Sequence, residues 1–351
     1  MGLRLHGHNG REPSSNCYNL QMGKTPTFSV GIPTFNQADF LEETILSLLN
    51  QTRPPDEIVI SDHYSTDHTP DIIAKYASHV RGVKPPPGVS LAGQYNFTLM
   101  SQTCDWITTF CSDDIAFPNY AEVLVRGAAR DPDAALVRAS WQIMDENREV
   151  IGRENLLSMP RTQRPPDTLL TQRYAPKVCG TSYAIRREAF LRSGPIPASV
   201  QSLVDWALYL QLAPFGTFIR EPEAIAAYRV GHDGNKFRDR LGKWLHDEQC
   251  MFYEVMPLAA ERAKMADRSW IDEASRKNFL RYLSSASKEF SVEERSTIAP
   301  LFEPWATRLN AEPLLKSFVE GRFTAAPMSL AEQGRKFIRP FVHKLAARLH
   351  Q

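Results

Sequence analysis

Nowhere in this chain do apolar residues run long enough to cross a bilayer, which argues against a membrane-spanning helix. Residues 1–26 also lack the apolar stretch of a secretory signal and read as a disordered lead-in. Cysteine is sparse and scattered: Cys17, Cys104, Cys111, Cys179 and Cys250 form an odd set with no CxxC or metal-ligand spacing. That pattern speaks against a disulfide scaffold or a zinc site, and for free thiols in a reducing, cytoplasmic setting. Neither charge predominates, since 41 Lys and Arg face 40 Asp and Glu, so bulk charge gives no reason to expect a nucleic-acid partner. What is present is a 351-residue chain, 42% hydrophobic, enough for one large domain with an appendage or for two domains.

The apolar pattern begins at Phe28 to Ile32, a short run stopped by Pro33 that suits a buried strand. Leu41, Ile45, Leu48 and Leu49 then recur at helical spacing, and Ile58 to Ile60 gives a second strand ending at Asp62. Thr69-Pro70-Asp71 predicts a helix start, with Thr69 as hydroxyl cap. A short strand near Val80 to Val83, a helix near Leu91 to Met100 and a strand from Trp106 to Phe110 follow. The last of these delivers Ser112-Asp113-Asp114. Alternating strands and helices predict an α/β fold with an open, mainly parallel twisted sheet, whose ligands bind outside the carboxyl ends of the strands. Asp62 and the Asp113–Asp114 pair both fall at such ends.

Further on, Ala134 to Ala139 reads as a strand and Trp141 to Ile151 as a hairpin. Residues 153–178, rich in Pro, Arg and Thr, read as a long functional loop, and everything from Phe237 as helical. Ser291-Val292-Glu293-Glu294 has the form of a capping box. The expected division is a lead-in over 1–26, an α/β domain over 27–236 and a helical region over 237–351. Carboxylates are hard donors that suit Mg2+ or Mn2+, usually with substrate phosphates completing the shell. By themselves, though, two adjacent acids before Pro118 read more readily as a turn with a solvated side chain.

The order of motifs adds a second argument. Val30-Gly31-Ile32-Pro33-Thr34-Phe35-Asn36, then Asn50-Gln51-Thr52, then Ile58-Val59-Ile60-Ser61-Asp62-His63-Tyr64-Ser65-Thr66-Asp67 resemble the opening of family 2 inverting glycosyltransferases. Gly88 to Asn96, Trp106 to Asp114, Val204-Asp205-Trp206 and Tyr228-Arg229-Val230 resemble later motifs of that family, so the likeness spans roughly residues 28–235. It implies a GT-A fold, a nucleotide-diphospho-sugar donor, a divalent metal and a carbohydrate or lipid-linked acceptor, as in polysaccharide biosynthesis. Carried over by residue, Pro33, Thr34, Asn36, Asp62, Asn96 and Asp113 would face the donor. Asp113, Asp114 and His232 would hold the metal, with Asp114 the first choice for direct contact. Asp205 would be the catalytic base, desolvated by Trp206, Leu208 and Leu210.

Four positions depart from the family pattern: His63 and Tyr64 replace an acid and a glycine, Cys111 replaces the first acid of the metal motif, and Val204 replaces the acid before Asp205. Arg229 is read as the partner of a phosphate or of an acid. The alternative reading, of another class, is a non-catalytic sugar-nucleotide-binding or scaffold protein that kept the fold. Finally, Arg335, Lys336, Arg339, Lys344 and Arg348 alternate with apolar residues. They read either as a helix packed on its own domain or as a peripheral contact with the inner face of the membrane.

Overall fold

The computed structural model describes residues 25–154, 156–231 and 237–324. His232 and the basic, amphipathic segment beyond residue 330 lie outside the described residues. The first half alternates as the apolar pattern predicts: β1 (Phe28–Thr34), α1 (Ala38–Leu49), β2 (Glu57–Asp62), α2 (Thr69–Lys75), β3 (Arg81–Val83), α3 (Leu91–Met100) and β4 (Trp106–Thr109). Next come β5 (Ile115–Ala116), α4 (Tyr120–Ala128), β6 (Ala134–Met144), β7 (Val150–Glu154), β8 (Thr162–Gln163) and α5 (Asp167–Leu170). The α/β part closes with β9 (Tyr183–Arg186), α6 (Arg187–Ser193), α7 (Val204–Leu212) and β10 (Thr217–Arg229).

Among the described residues, all ten strands join one sheet whose main path is β3-β2-β1-β4-β9-β6-β10-β5, with β7 beside β6 and β8 beside β10. β1, β2, β3, β4, β6 and β10 run in one direction, and β5, β7, β8 and β9 run against them. The sheet is therefore mainly parallel, as expected, with β9 as an antiparallel insert. Strand order reverses at β1, which has β2 on one side and β4 on the other. A crevice at that switch point is where open α/β sheets take ligands.

Residues of α1 and α4 pack on one face of the sheet, with Val30, Ile32 and Ile60. On the other face, α3 lies so close to β1 that a β-carbon at Gly31 would stand 2.5 Å from Gln102 Nε2 and 2.7 Å from Thr98 Cγ2. Only glycine permits that approach. β1 itself runs on through Pro33 to Thr34, paired with β2, rather than stopping at the proline. Pairing with β4 has already ended at Gly31, which relaxes the demand for an N–H on that side.

Two local readings change. Thr69 is the first residue of α2 rather than its cap: Asp67 Oδ1 accepts from Thr69 N at 3.0 Å, and Thr69 Oγ1 accepts from Gln37 N at 3.0 Å. The strand at Ala134 and the first arm of the hairpin are one eleven-residue strand, β6, with β7 as the second arm. The stretch 153–178 contains β8 and α5, both too short to leave a periodic signal.

Beyond residue 236 come α8 (Phe237–Cys250), a π-helical turn at Met251–Val255, α9 (Met256–Arg262), α10 (Ser269–Glu289), α11 (Val292–Arg308) and α12 (Glu312–Val319). The capping box of Ser291 and Glu294 is present at the start of α11. These helices share one apolar cluster with α3, α7 and β9: Trp206 meets Phe252 edge-on at 6.1 Å, and Phe252 stacks on Trp305 at 6.1 Å. The core thus runs across the expected boundary. Among the described residues, no helix is long and apolar enough to cross a membrane.

Candidate active site

Thr34 and Asp62 end β1 and β2 as register partners. Gln94, from α3, ties these tips together by donating to Thr34 O at 3.1 Å and to Ser61 O at 3.3 Å. Asp62 is 2% exposed; its Oδ1 accepts from Ser65 N at 3.0 Å, while among the described residues Oδ2 has no hydrogen-bond partner and Lys84 Nζ stands at 3.9 Å. Thr34 Oγ1 is likewise buried without a partner among the described residues. Outside these tips lies a cleft of about 540 Å³ lined by Phe35, His63, Tyr64, Thr66, Pro87 and Gly88. Phe35 and Tyr64 expose roughly half their surface there, at 53% and 42%. Aromatic walls above a buried acceptor form a setting suited to a flat heterocycle bearing a ring N–H.

Two residues expected at the donor tie loops together. Asn36, in the left-handed region at φ 50°, accepts through Oδ1 from Thr66 N at 2.8 Å and so joins the β1 and β2 loops. Asn tolerates that backbone region because its short polar side chain bonds locally. Asn96 uses its amide on a single loop residue, donating to Ile196 O and accepting from Ile196 N, both at 2.9 Å. Pro33 is buried within β1.

The acidic loop follows β4. Ligand atoms of Cys111, Asp113 and Asp114 lie within 4.8 Å of one another. Asp114 is fully buried, and the chain occupies both its oxygens: Oδ1 accepts from Arg229 N at 2.8 Å and Oδ2 from Thr181 Oγ1. Thr44 holds the same loop from α1, donating to Ser112 O at 3.0 Å and Asp114 O at 2.8 Å. Asp113 is only half-buried. These surroundings do not favour Asp114, the first choice for direct metal contact, and turn attention to Asp113. Burial, followed by the neighbouring Asp113 charge, pushes the Asp114 carboxyl well above its usual range. A buried carboxylate beside a half-buried one fits a divalent cation, which would relieve their repulsion. Burial also pushes the Cys111 thiol well up, so it stays protonated and is no match for a hard cation.

Arg229 resolves its two readings in favour of an acid. Its Nη2 donates to Glu43 Oε2 at 2.9 Å and its Nε to Asp113 O at 2.8 Å, so the side chain braces the acidic loop.

Asp205 stands in the first turn of α7, after Leu203 as cap residue, and its Oδ1 accepts from Trp206 N at 2.8 Å. Burial pushes its carboxyl up to about 6. A β-carbon built on Gly180 would lie 3.9 Å from Asp205 Oδ2 and 3.8 Å from Cys111 Sγ. Asp205 and the acidic loop therefore face each other across Gly180. Tyr95 borders the same space: its hydroxyl is held well above its usual range by burial first, then by Cys111 and Asp205. Sequence reasoning passed over Gln94 and Tyr95, although both sit within two residues of Asn96 on the helix that the motif comparison had singled out.

Comparison with known proteins bears on the family and the fold. The family model for glycosyl transferase family 2 matches residues 29–193. Among curated relatives, hyaluronan synthase from Pasteurella multocida is 25% identical over 63% of this chain. The chain spans about a fifth of that relative, 22% of its length. A Bacillus subtilis (strain 168) protein named as glycosyltransferase EpsE is 24% identical over 67% of this chain and 83% of its own. In fold, the chain resembles TarS 1-349 of S. aureus in complex with UDP, with a TM-score of 0.61 at 16% identity, covering 85% of this chain and 88% of that one. The same TarS segment in complex with UDP-GlcNAc gives a TM-score of 0.58 at 17% identity, over the same shares. Residues 29–193 are thus a glycosyl transferase family 2 domain.

Proposed function

We propose that this protein is an inverting glycosyltransferase that moves a sugar from a nucleotide-diphosphate donor to a hydroxyl of a glycan or glycolipid, at the cytoplasmic side. The observation that carries this reading is Asp205, with a carboxyl near 6, facing the Asp113 loop across Gly180. Such a group is ionised at neutral pH and still basic enough to take a proton in the transition state.

The nucleobase would lie between Phe35, His63 and Tyr64, donating its ring N–H to Asp62 Oδ2. The diphosphate would run from there towards Asp113. Asp113 would hold the divalent cation, Mg2+ or Mn2+, and Asp114 would fix the loop that presents it. When bound, the cation offsets the negative charge that grows on the departing diphosphate. On the opposite side, the acceptor hydroxyl approaches the anomeric carbon and gives its proton to Asp205. The new carbon–oxygen bond forms as the bond to the diphosphate breaks with its electron pair, which inverts the configuration in one displacement. His232, outside the described residues, enters this reading from the family likeness alone.

A panel of nucleotide sugars, assayed with and without Mn2+, tests the proposal. One donor should release nucleoside diphosphate in step with acceptor glycosylation, and a chelator should abolish both. Release of pyrophosphate would instead mean nucleotidyl transfer and reject the reading.

A further inference from the structure

Helix α8 lies beyond the stretch that the family model matches, yet it grips the segment that carries Asp205. Asp247 is fully buried, and its carboxylate accepts four hydrogen bonds. Oδ1 takes Gln201 N at 2.9 Å; Oδ2 takes Ser202 N at 2.6 Å, Leu203 N at 2.8 Å and Ser202 Oγ at 3.1 Å. Residues 201–203 are the turn that leads into α7, two residues before Asp205. A buried carboxylate is costly unless donors surround it, and here three consecutive backbone N–H groups supply them.

Other contacts point the same way. Ser199 O lies 2.9 Å from His246 Nε2, and Ser199 Oγ donates to Glu254 at 2.8 Å. Phe252 packs on Trp206, whose indole N–H donates to Gln172 O at 2.9 Å. Asn278 and Arg281, from α10, donate to Tyr174 O at 3.0 and 3.4 Å, and both also bond Glu248 of α8. Segments 172–174 and 199–206 are thus both fastened to the helical region.

We infer that Asp247 is a positioning residue for glycosyl transfer: through the backbone of residues 201–203 it sets where Asp205 stands relative to the Asp113 loop. The inference rests on Asp205 being the base, as proposed above. An amide at position 247 would turn an NH2 group towards N–H donors, release part of the turn and let α7 shift at its first residues. Donor contacts at β1 and β2 lie on other elements and should not change.

The test uses the full chain and counts functional sites by titration with the nucleoside diphosphate released in the donor assay. Asp247→Asn should lose about ten- to hundredfold in turnover per nucleotide-binding site, the scale of a base displaced by an ångström, with donor KM unchanged. Ser202→Ala, which deletes only the 3.1 Å bond, should fold and lose about threefold, in proportion to one weak bond of four. Wild-type turnover per site in Asp247→Asn overturns the inference, as does a parallel loss of nucleotide affinity, which would mark a general structural role. If Asp247→Asn does not fold, wild-type turnover in Ser202→Ala overturns it. Asp205→Asn separates the two levels: if that variant keeps turnover, the base reading fails. If it loses turnover while Asp247→Asn does not, only the positioning role fails.

Discussion

Thr34 and Asp62 face each other in register at the tips of β1 and β2, and each holds one buried oxygen that makes no hydrogen bond among the described residues. Buried polar atoms are normally paired, so an orphaned pair beside an aromatic cleft marks where a ligand's polar edge is received. Aromatic faces supply the area and the two oxygens supply the direction.

From this follows a graded loss of nucleotide affinity. Asp62→Ala removes a charged acceptor and should weaken binding by about ten- to hundredfold, the cost of about 1.5–3 kcal/mol for a hydrogen bond to a charged group. Asp62→Asn keeps an acceptor oxygen and should lose less. Calorimetric titration with the nucleoside diphosphate checks both, and unchanged affinity in Asp62→Ala would remove the cleft from the donor site.

Asp113 and Asp114 should separate cleanly despite being adjacent. Asp114→Ala strands the Arg229 N–H and the Thr181 hydroxyl, each buried donor costing about 1–3 kcal/mol, so the variant should melt well below wild type. Asp113→Asn leaves those bonds in place and should melt near wild type while losing Mn2+-dependent turnover and Mn2+ affinity. Thermal melts beside metal titrations decide. The assignment fails if Asp113→Asn binds Mn2+ as wild type does.

How far the sequence carried this site follows from the range of the forces involved. The ends of β1, β2 and β4, with Asp62, Asp113 and Asp114 on them, were legible because strands alternate locally and their acids come with their own strand. Which of two adjacent acids looks outward was not legible. That depends on Thr181 and Arg229, which lie 67 and 115 residues further along. Asp247 was hidden for a related reason. In sequence it is one polar residue on a helix rich in Arg, Lys and Asp, and only the fold shows that its side is the buried one. Likewise, the bonds of the Asn96 amide to Ile196, 100 residues further along, were not legible from its motif position.

Asp205 links the chemistry to pH with a definite sign. Burial raises its carboxyl from an ordinary 3.8 to about 6, so the base is protonated and idle below that value and ionised above it. Accordingly kcat/KM should climb as pH rises from 5 to 7, with its midpoint near 6, and the limb should vanish in Asp205→Asn along with turnover, a loss of about 10²–10⁴-fold for a general base. The same shift acts on stability. Between the unfolded value near 4 and the folded value near 6 the native state binds the extra proton, so stability falls as pH rises through that window. At neutral pH the charged carboxylate is thus a cost that the fold carries for function. Asp205→Asn, neutral at every pH and still able to accept from Trp206 N, should melt on the order of 2 °C higher than wild type at pH 7.5 and converge with it near pH 4. Paired melts at those two pH values, run with the activity profile, check both halves. A variant that loses turnover and also melts lower at pH 7.5 would show that Asp205 supports the fold rather than straining it, and would take away the physical ground for its raised basicity.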